Sequence, residues 1–157
     1  PPRPDEVDGR DYFFVSRETF EAMIEADELL EHANVYSDYK GIPKSQVREA
    51  FASGKDVIMR LDVQGAMTIR KICPEAILIF LTASSRDEWV NRLLERRSET
   101  PEELELRFKT AALEFAMIDQ FDYLVVNSEH HLDKTIDDIQ AIIRAEHMRT
   151  TPRKVDL

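Results

Sequence analysis

The sequence predicts an α/β fold in which a mainly parallel sheet is covered by helices and preceded by a small β-rich insertion. Three observations carry that expectation. Runs of β-branched or apolar residues at 57–61 (VIMRL), 76–81 (AILIFL) and 123–126 (YLVV) are separated by helical patterns long enough for crossover connections, as parallel strands require. Two helix starts are legible, because Ser85 with Glu88 and Thr100 with Glu103 form S/T-x-x-E capping boxes, the second with Pro101 at the first helical position. The length, 157 residues, is one domain's worth and can bury a core without disulfide or metal staples.

Taken in order, residues 12–15 read as a strand, and 17–26 as a short helix with Phe20, Met23 and Ile24 inward. Residues 29–35 read as another strand. "ASGKD" superficially suggests a phosphate loop, but no glycine stands five residues before Gly54 and no Ser or Thr follows Lys55, so it is a turn ahead of the strand at 57–61. An apolar helix closes at Ile72-Cys73-Pro74, and the strand at 76–81 follows. Leu104, Phe108, Ala111, Phe115 and Ile118 form a stripe at three-to-four spacing, and Ile136, Ile139 and Ile143 mark a last amphipathic helix. Residues 127–131 are a polar loop, and 150–157 are expected to be a loosely held tail.

Composition narrows the function. A formal net charge of −10 argues against broad nucleic-acid or anionic-membrane binding, since both need a positive field. The longest apolar run, 76–81, is far below the roughly 20 residues of a membrane helix, so the chain is expected to be soluble. Cys73, the single cysteine, reads as core. The four histidines show neither H-E-x-x-H nor paired Cys/His spacing, so no structural metal site is expected. The chain begins Pro1-Pro2-Arg3-Pro4, with no methionine, apolar signal core or arginine-rich presequence, which suggests a segment removed upstream or a fragment.

Three constellations could carry chemistry. In "NRLLERRSETPEELELRF", Arg92 and Arg96 share one helix face and Arg107 follows the next break. Planar forks of donors suit phosphate oxygens, yet Asp87, Glu88, Glu95 and Glu99 also offer ordinary pairing on a solvated face. In "RLDVQG", Asp62 ends a buried strand, where it can hold a base amine, or a metal through water, or simply cap the following helix. In "PPRPDEVDGRDY", Arg3 and Tyr12 flank a turn at Asp8-Gly9, with Glu31 further along. Arg and Tyr can donate jointly to a phosphate, and a glutamate in a cleft can accept from two N–H groups of a purine edge. A surface turn with scattered charges is the alternative.

Together these segments resemble the guanylate kinases, P-loop enzymes that transfer phosphate from ATP to GMP. The likeness runs from Pro2 to about Arg149 and includes "PRPDEVDGRDYFFVS" against P-R-x-x-E-x-x-G-x-D-Y-x-F-V-S, "LLEHA", "DVQGA", the lid arginines and "DYLVVN". The resemblance implies a P-loop kinase-like three-layer fold: a parallel sheet with helices on both faces, a GMP-binding insertion at 1–45 and a helical lid at 92–107 within a domain of 1–149, then a tail at 150–157. By the same resemblance, Arg3, Tyr12 and Lys40 hold the GMP phosphate, and Glu31 and Asp62 read the guanine edge. Arg92, Arg96 and Arg107 close over the ATP phosphates, Arg96 thereby also binding ATP, and Asn127 contacts ATP on its adenine side. Mg²⁺ is expected to enter with ATP, the ligands are small nucleotides rather than nucleic acid or membrane, and the protein is expected to be a monomer.

Departures from the family pattern are equally specific. Lys40-Gly41-Ile42 stands for Tyr-Gly-Ser or Tyr-Gly-Thr, and Arg60 for an acidic residue two before Asp62. "YKGIPK" with these changes resembles the plant and algal organellar type, which implies the cytoplasm or an organellar stroma or matrix, with the plastid favoured. No G-x-x-x-x-G-K-[ST] occurs, so the first strand and P-loop are expected upstream of Pro1 and these residues alone are expected to be inactive. A guanylate-kinase-like interaction module without catalysis is the alternative. Retention of Glu31, Asp62 and the three lid arginines favours the enzyme, because a phosphopeptide site needs mainly the phosphate-gripping subset. A kinase for another nucleoside monophosphate is a third reading.

Overall fold

A computed structural model describes residues 6–35, 38–95 and 101–155; for 34, 35, 38, 93, 95, 101–104 and 107 it describes the backbone alone. The chain divides into two compact units, Pro1–Thr68 and Ile69–Leu157.

In the first unit, helix α1 (Arg17–Glu25) starts where Ser16 accepts from the Thr19 N–H at 3.1 Å. It stops in a Schellman turn: Asp27 N–H reaches Ile24 O and Glu28 N–H reaches Met23 O, both at 3.0 Å. Asp27 occupies the left-handed position (φ 54°) and its carboxylate grips Lys44 Nζ at 2.6 Å. Strands β1 (Leu29–Val35) and β2 (Asp38–Pro43) pair antiparallel, with a register shift between Leu29 and Glu31. β1 has the bounds its sequence pattern predicts, whereas β2 and helix α2 (Lys44–Ala52) have no prior signal as strong. Phe20, Leu29, Val47 and Ala66 are buried here, and Phe20 stacks on Tyr39 with centroids 5.1 Å apart.

Two predicted strands of this unit do not form. Residues 12–15 are held instead in a loop in which two backbone donors go to side chains, Val7 N–H to Asp11 Oδ2 (2.9 Å) and Phe14 N–H to Asp8 Oδ1 (2.8 Å), with Gly9 at φ +77° in the expected turn. Only an isolated bridge, Asp8 to Tyr12, remains. Residues 57–61 find no ladder partner among the described residues, and Ile58 is 76% exposed, so Asp62 does not end a buried strand. Apolar patterning identifies a segment fit for a sheet, but a strand exists only where a second backbone satisfies its N–H and C=O groups.

Helix α3 (Val63–Ile72) contains the boundary between the units. In the second unit β3 (Ile79–Thr82) and β4 (Tyr123–Val126) pair in parallel, Ile79 beside Tyr123 through Thr82 beside Val126. The crossover carries α4 (Arg86–Glu95) and α5 (Pro101–Phe115), and α6 (Leu132–His147) follows β4. Ser85 caps α4 as predicted, accepting from Glu88 N–H at 3.1 Å. Thr100 and the Glu103 side chain lie outside the described residues; α5 does begin at Pro101. Ile69, Cys73, Leu78, Phe80, Ala111 and Val125 are buried, with Phe80 edge-on to Phe121 at 5.1 Å.

The expected loose tail is tied down. Arg153 Nε donates to Glu146 Oε2 at 3.1 Å and its guanidinium lies 3.5 Å from Asp122 Oδ1. A single arginine between two carboxylates anchors residues whose composition alone suggested a free end.

Candidate functional site

The first unit brings Glu31 and Asp62 together. Glu31, on β1 next to the register shift, is 6% exposed, and among the described residues its carboxylate has neither a hydrogen-bond nor an ion-pair partner. Burial, and then the neighbouring Asp62 charge, push its pKa up. Asp62 caps α3: its Oδ1 accepts from Gly65 N–H at 2.8 Å, and its carbonyl from Ala66 N–H at 2.9 Å. Capping and ligand reading are compatible here, since one carboxylate has two oxygens with about four lone-pair positions.

Two glycines make the space. A Cβ at Gly65 would lie 3.0 Å from both Glu31 Cδ and Oε1, so the glycine of "DVQG" leaves room for the carboxylate. A Cβ at Gly41 would meet Glu31 O and Phe20 Cζ, each at 2.9 Å, so the strand pair closes around Glu31 because residue 41 has no side chain.

The same unit holds a cationic cluster. Arg60 Nη2 donates to the Tyr12 hydroxyl, with its guanidinium carbon 5.5 Å from the Tyr12 ring centre, and Lys40 Nζ lies 5.8 Å from the same ring. Tyr12 and Lys40 are thus brought together. Sequence reasoning did not place Arg60 beside Tyr12; its one signal was its departure from the acidic pattern. Arg3 lies outside the described residues.

In the second unit, Arg92 and Asn127 line a cleft of about 220 Å³ with Phe80, Thr82, Trp89 and Phe115. Asn127 follows β4, its N–H bonding Thr82 O at 2.7 Å and its Oδ1 accepting from the Thr135 hydroxyl at 3.2 Å. Arg92 Nη2 donates to the Asn127 carbonyl at 2.7 Å and also to Glu88 four residues earlier. The pairing anticipated for a solvated helix face therefore occurs, but it holds the arginine at the cleft. The Ser84 hydroxyl bond, opposed by burial and aided by the Ser84 and Glu129 backbone bonds and by Arg92, holds the Glu88 carboxyl below the usual range. Arg96 and the Arg107 side chain lie outside the described residues.

Among the described residues no group of three or more His, Cys, Asp or Glu side chains could hold a metal ion.

Parallel strands joined by a helical crossover, with polar side chains gathered just past the carboxyl ends of β3 and β4, define an open α/β protein of the kind that binds ligands at that edge. The guanylate kinase family model matches residues 1–146, and the chain belongs to that family. It is 48% identical over 156 residues to "Guanylate kinase 2, chloroplastic/mitochondrial" of Oryza sativa subsp. japonica, covering 99% of this chain and 55% of that protein. A guanylate kinase of Nocardia farcinica is 52% identical over 130 residues, 82% of this chain and 67% of that one. Among solved structures, guanylate kinase from Anaplasma phagocytophilum superposes with a TM-score of 0.75 at 29% identity, covering 96% of this chain and 72% of that one. The chain thus spans about half the length of the rice relative.

Proposed function

We propose that this chain supplies the GMP site, the lid and the C-terminal part of a guanylate kinase, which transfers the γ-phosphoryl group of ATP to GMP to give ADP and GDP. The observation that carries the reading is the Glu31 carboxylate: buried, without a donor among the described residues, and beside a second carboxylate. A buried carboxylate without donors costs stability. Guanine's edge offers two adjacent donors, N1–H and the 2-amino group, that would satisfy it. Adenine offers an acceptor at N1 and would be repelled.

In this reading Tyr12, Lys40 and Arg3 hold the GMP phosphate, and Asn127 contacts ATP. Arg92, Arg96 and Arg107 stabilise charge on the transferred phosphoryl group. A loose transition state spreads negative charge over oxygens, so positioning and cationic stabilisation suffice without a covalent nucleophile. To act, Arg92 exchanges Glu88 for a phosphate oxygen. Mg²⁺ accompanies ATP. The name of the rice relative supports residence in a plastid or mitochondrion.

The test is GDP formation from ATP and GMP in the full-length protein, with GMP and AMP affinities measured by calorimetry. Preferential GMP binding with turnover supports the proposal. GMP binding without turnover would favour the interaction module, and equal affinity for AMP would sink the guanine assignment. Arg96→Ala is expected to lower kcat far more than GMP affinity, and Arg3→Ala to weaken GMP binding mainly; the opposite pattern would reverse the two roles.

A further inference from the structure

Arg60 stands at the Tyr12 hydroxyl with no acidic partner among the described residues. Among the described residues neither Arg60 nor Lys40 makes an ion pair, although the chain carries 31 Asp and Glu against 21 Lys and Arg. Two cations around one tyrosine ring, in a chain with acidic residues to spare, form a positive cluster that no carboxylate among the described residues pairs with. The hydrogen-bond direction sharpens the point. The Tyr12 oxygen accepts from Arg60 Nη2, so the tyrosine's own proton is left to donate elsewhere. Arg60 has used one of its five N–H donors on Tyr12, and the rest of the fork is available. The result is a contiguous donor set: Tyr12 O–H, the Arg60 guanidinium and the Lys40 ammonium. Arg60 also lies two residues before Asp62, so phosphate donors and base acceptors lie within one short stretch of chain.

We propose that Arg60, with Lys40, is a ligand of the nucleoside monophosphate's phosphate group, and that the pair supplies charge-assisted bonds to its oxygens. This rests on the proposal of a GMP site in the same unit and deepens it. Arg60 suits a phosphate monoester dianion because a planar guanidinium bonds two oxygens at once, which an ammonium does not. Tyr12 is then also a positioning residue, orienting Arg60 through the bond between them.

The experiment compares GMP with guanosine, the same base without the phosphate, as titrants of the full-length protein and of Arg60→Met and Arg60→Lys. Arg60→Met is expected to lose about tenfold or more in GMP affinity, as for a charge-assisted bond, with guanosine affinity unchanged. Arg60→Lys should recover part of the loss by restoring charge without the fork. The GMP affinity of Arg60→Met should also fall less steeply with added salt. Equal losses for GMP and guanosine would show that Arg60 only packs against Tyr12 and would overturn the inference, as would GMP affinity unchanged in Arg60→Met. If the unaltered protein binds neither titrant, the GMP site itself fails; if it binds GMP normally and the variants do too, only the assignment of Arg60 fails.

Discussion

Carboxylates shielded from water occur in both units, and the two units handle them in opposite ways. The Asp122 side chain, 22% exposed, accepts from Leu78 N–H at 2.8 Å and from Arg70 Nη2 at 2.5 Å, with Arg153 at 3.5 Å; Arg70 is itself fixed by the carbonyls of Pro74 (2.9 Å) and Ala76 (3.0 Å). The Glu146 side chain, 8% exposed, accepts from the Tyr123 hydroxyl at 2.6 Å and from Arg153. Glu31, 6% exposed, has no such donors among the described residues. Burial raises the Asp122 pKa, but the Leu78 N–H bond, Arg70 and Arg153 more than offset it and hold the carboxyl below the usual range. The same burial at Glu31, reinforced by Asp62, goes unopposed. Depth alone therefore does not separate a structural acid from one kept for a ligand; the count of donors does.

The comparison breaks most visibly in Asp122→Ala. It strands the Leu78 N–H and the Arg70 guanidinium, and should cost about 2–3 kcal/mol in urea denaturation while leaving the preference for GMP over AMP intact. Glu31→Gln is the converse. It removes a desolvated charge, so the urea midpoint should hold or rise, while GMP affinity falls about tenfold, or roughly 1.4 kcal/mol by calorimetry. A Glu31→Gln protein that both unfolds early and binds GMP normally would place Glu31 with Asp122 after all.

Titration sharpens the contrast, because the two sites respond in different windows. Glu31's raised pKa means that its ionised form burdens the native state above that pKa; as pH falls through it, the native state gains, but an acceptor for the guanine edge is lost. Asp122's depressed pKa means the opposite: its stabilisation is present above the ordinary aspartate range and is lost only as pH falls through the lowered value. On acidification GMP affinity should therefore decline before the urea midpoint does, and Glu31→Gln should remove the early decline. The smallest effect belongs to Lys109→Ala, which removes an exposed pair with Glu105 and should leave both the midpoint and the affinity within error.

Where one backbone segment satisfies itself, the sequence was a good guide. The Ser85 cap, the Pro101 start and the burial of Cys73 all follow from local chemistry. β1 and β4 also match their patterns, because each has a partner strand within the chain. Residues 57–61 carry a pattern just as apolar and remain outside any sheet, since no residue in the pattern states where a second strand lies. The loop at 7–14 was illegible for another reason: aspartate side chains took backbone donors that a strand would have used. In the candidate site, Glu31 and Asp62 were nominated from motif order, and their proximity came only with the fold. Arg60 was seen as an exception to a pattern; its bond to Tyr12, 48 residues away, gives that exception a chemical use.

The glycines beside Glu31 also constrain the order in which this protein can change. Gly65→Ala brings a methyl group against the far end of a flexible side chain, so its cost falls on the position of the carboxylate, whereas Gly41→Ala meets the Glu31 carbonyl and the Phe20 ring, and its cost falls on the strand pair. In a randomised library screened for folding alone, Gly65→Ala should be recovered freely and Gly41→Ala rarely. Screened for GMP binding, Gly65→Ala should survive only in clones whose residue 31 has shortened or whose α3 has moved, so the path to a new base preference runs through position 31 before position 65.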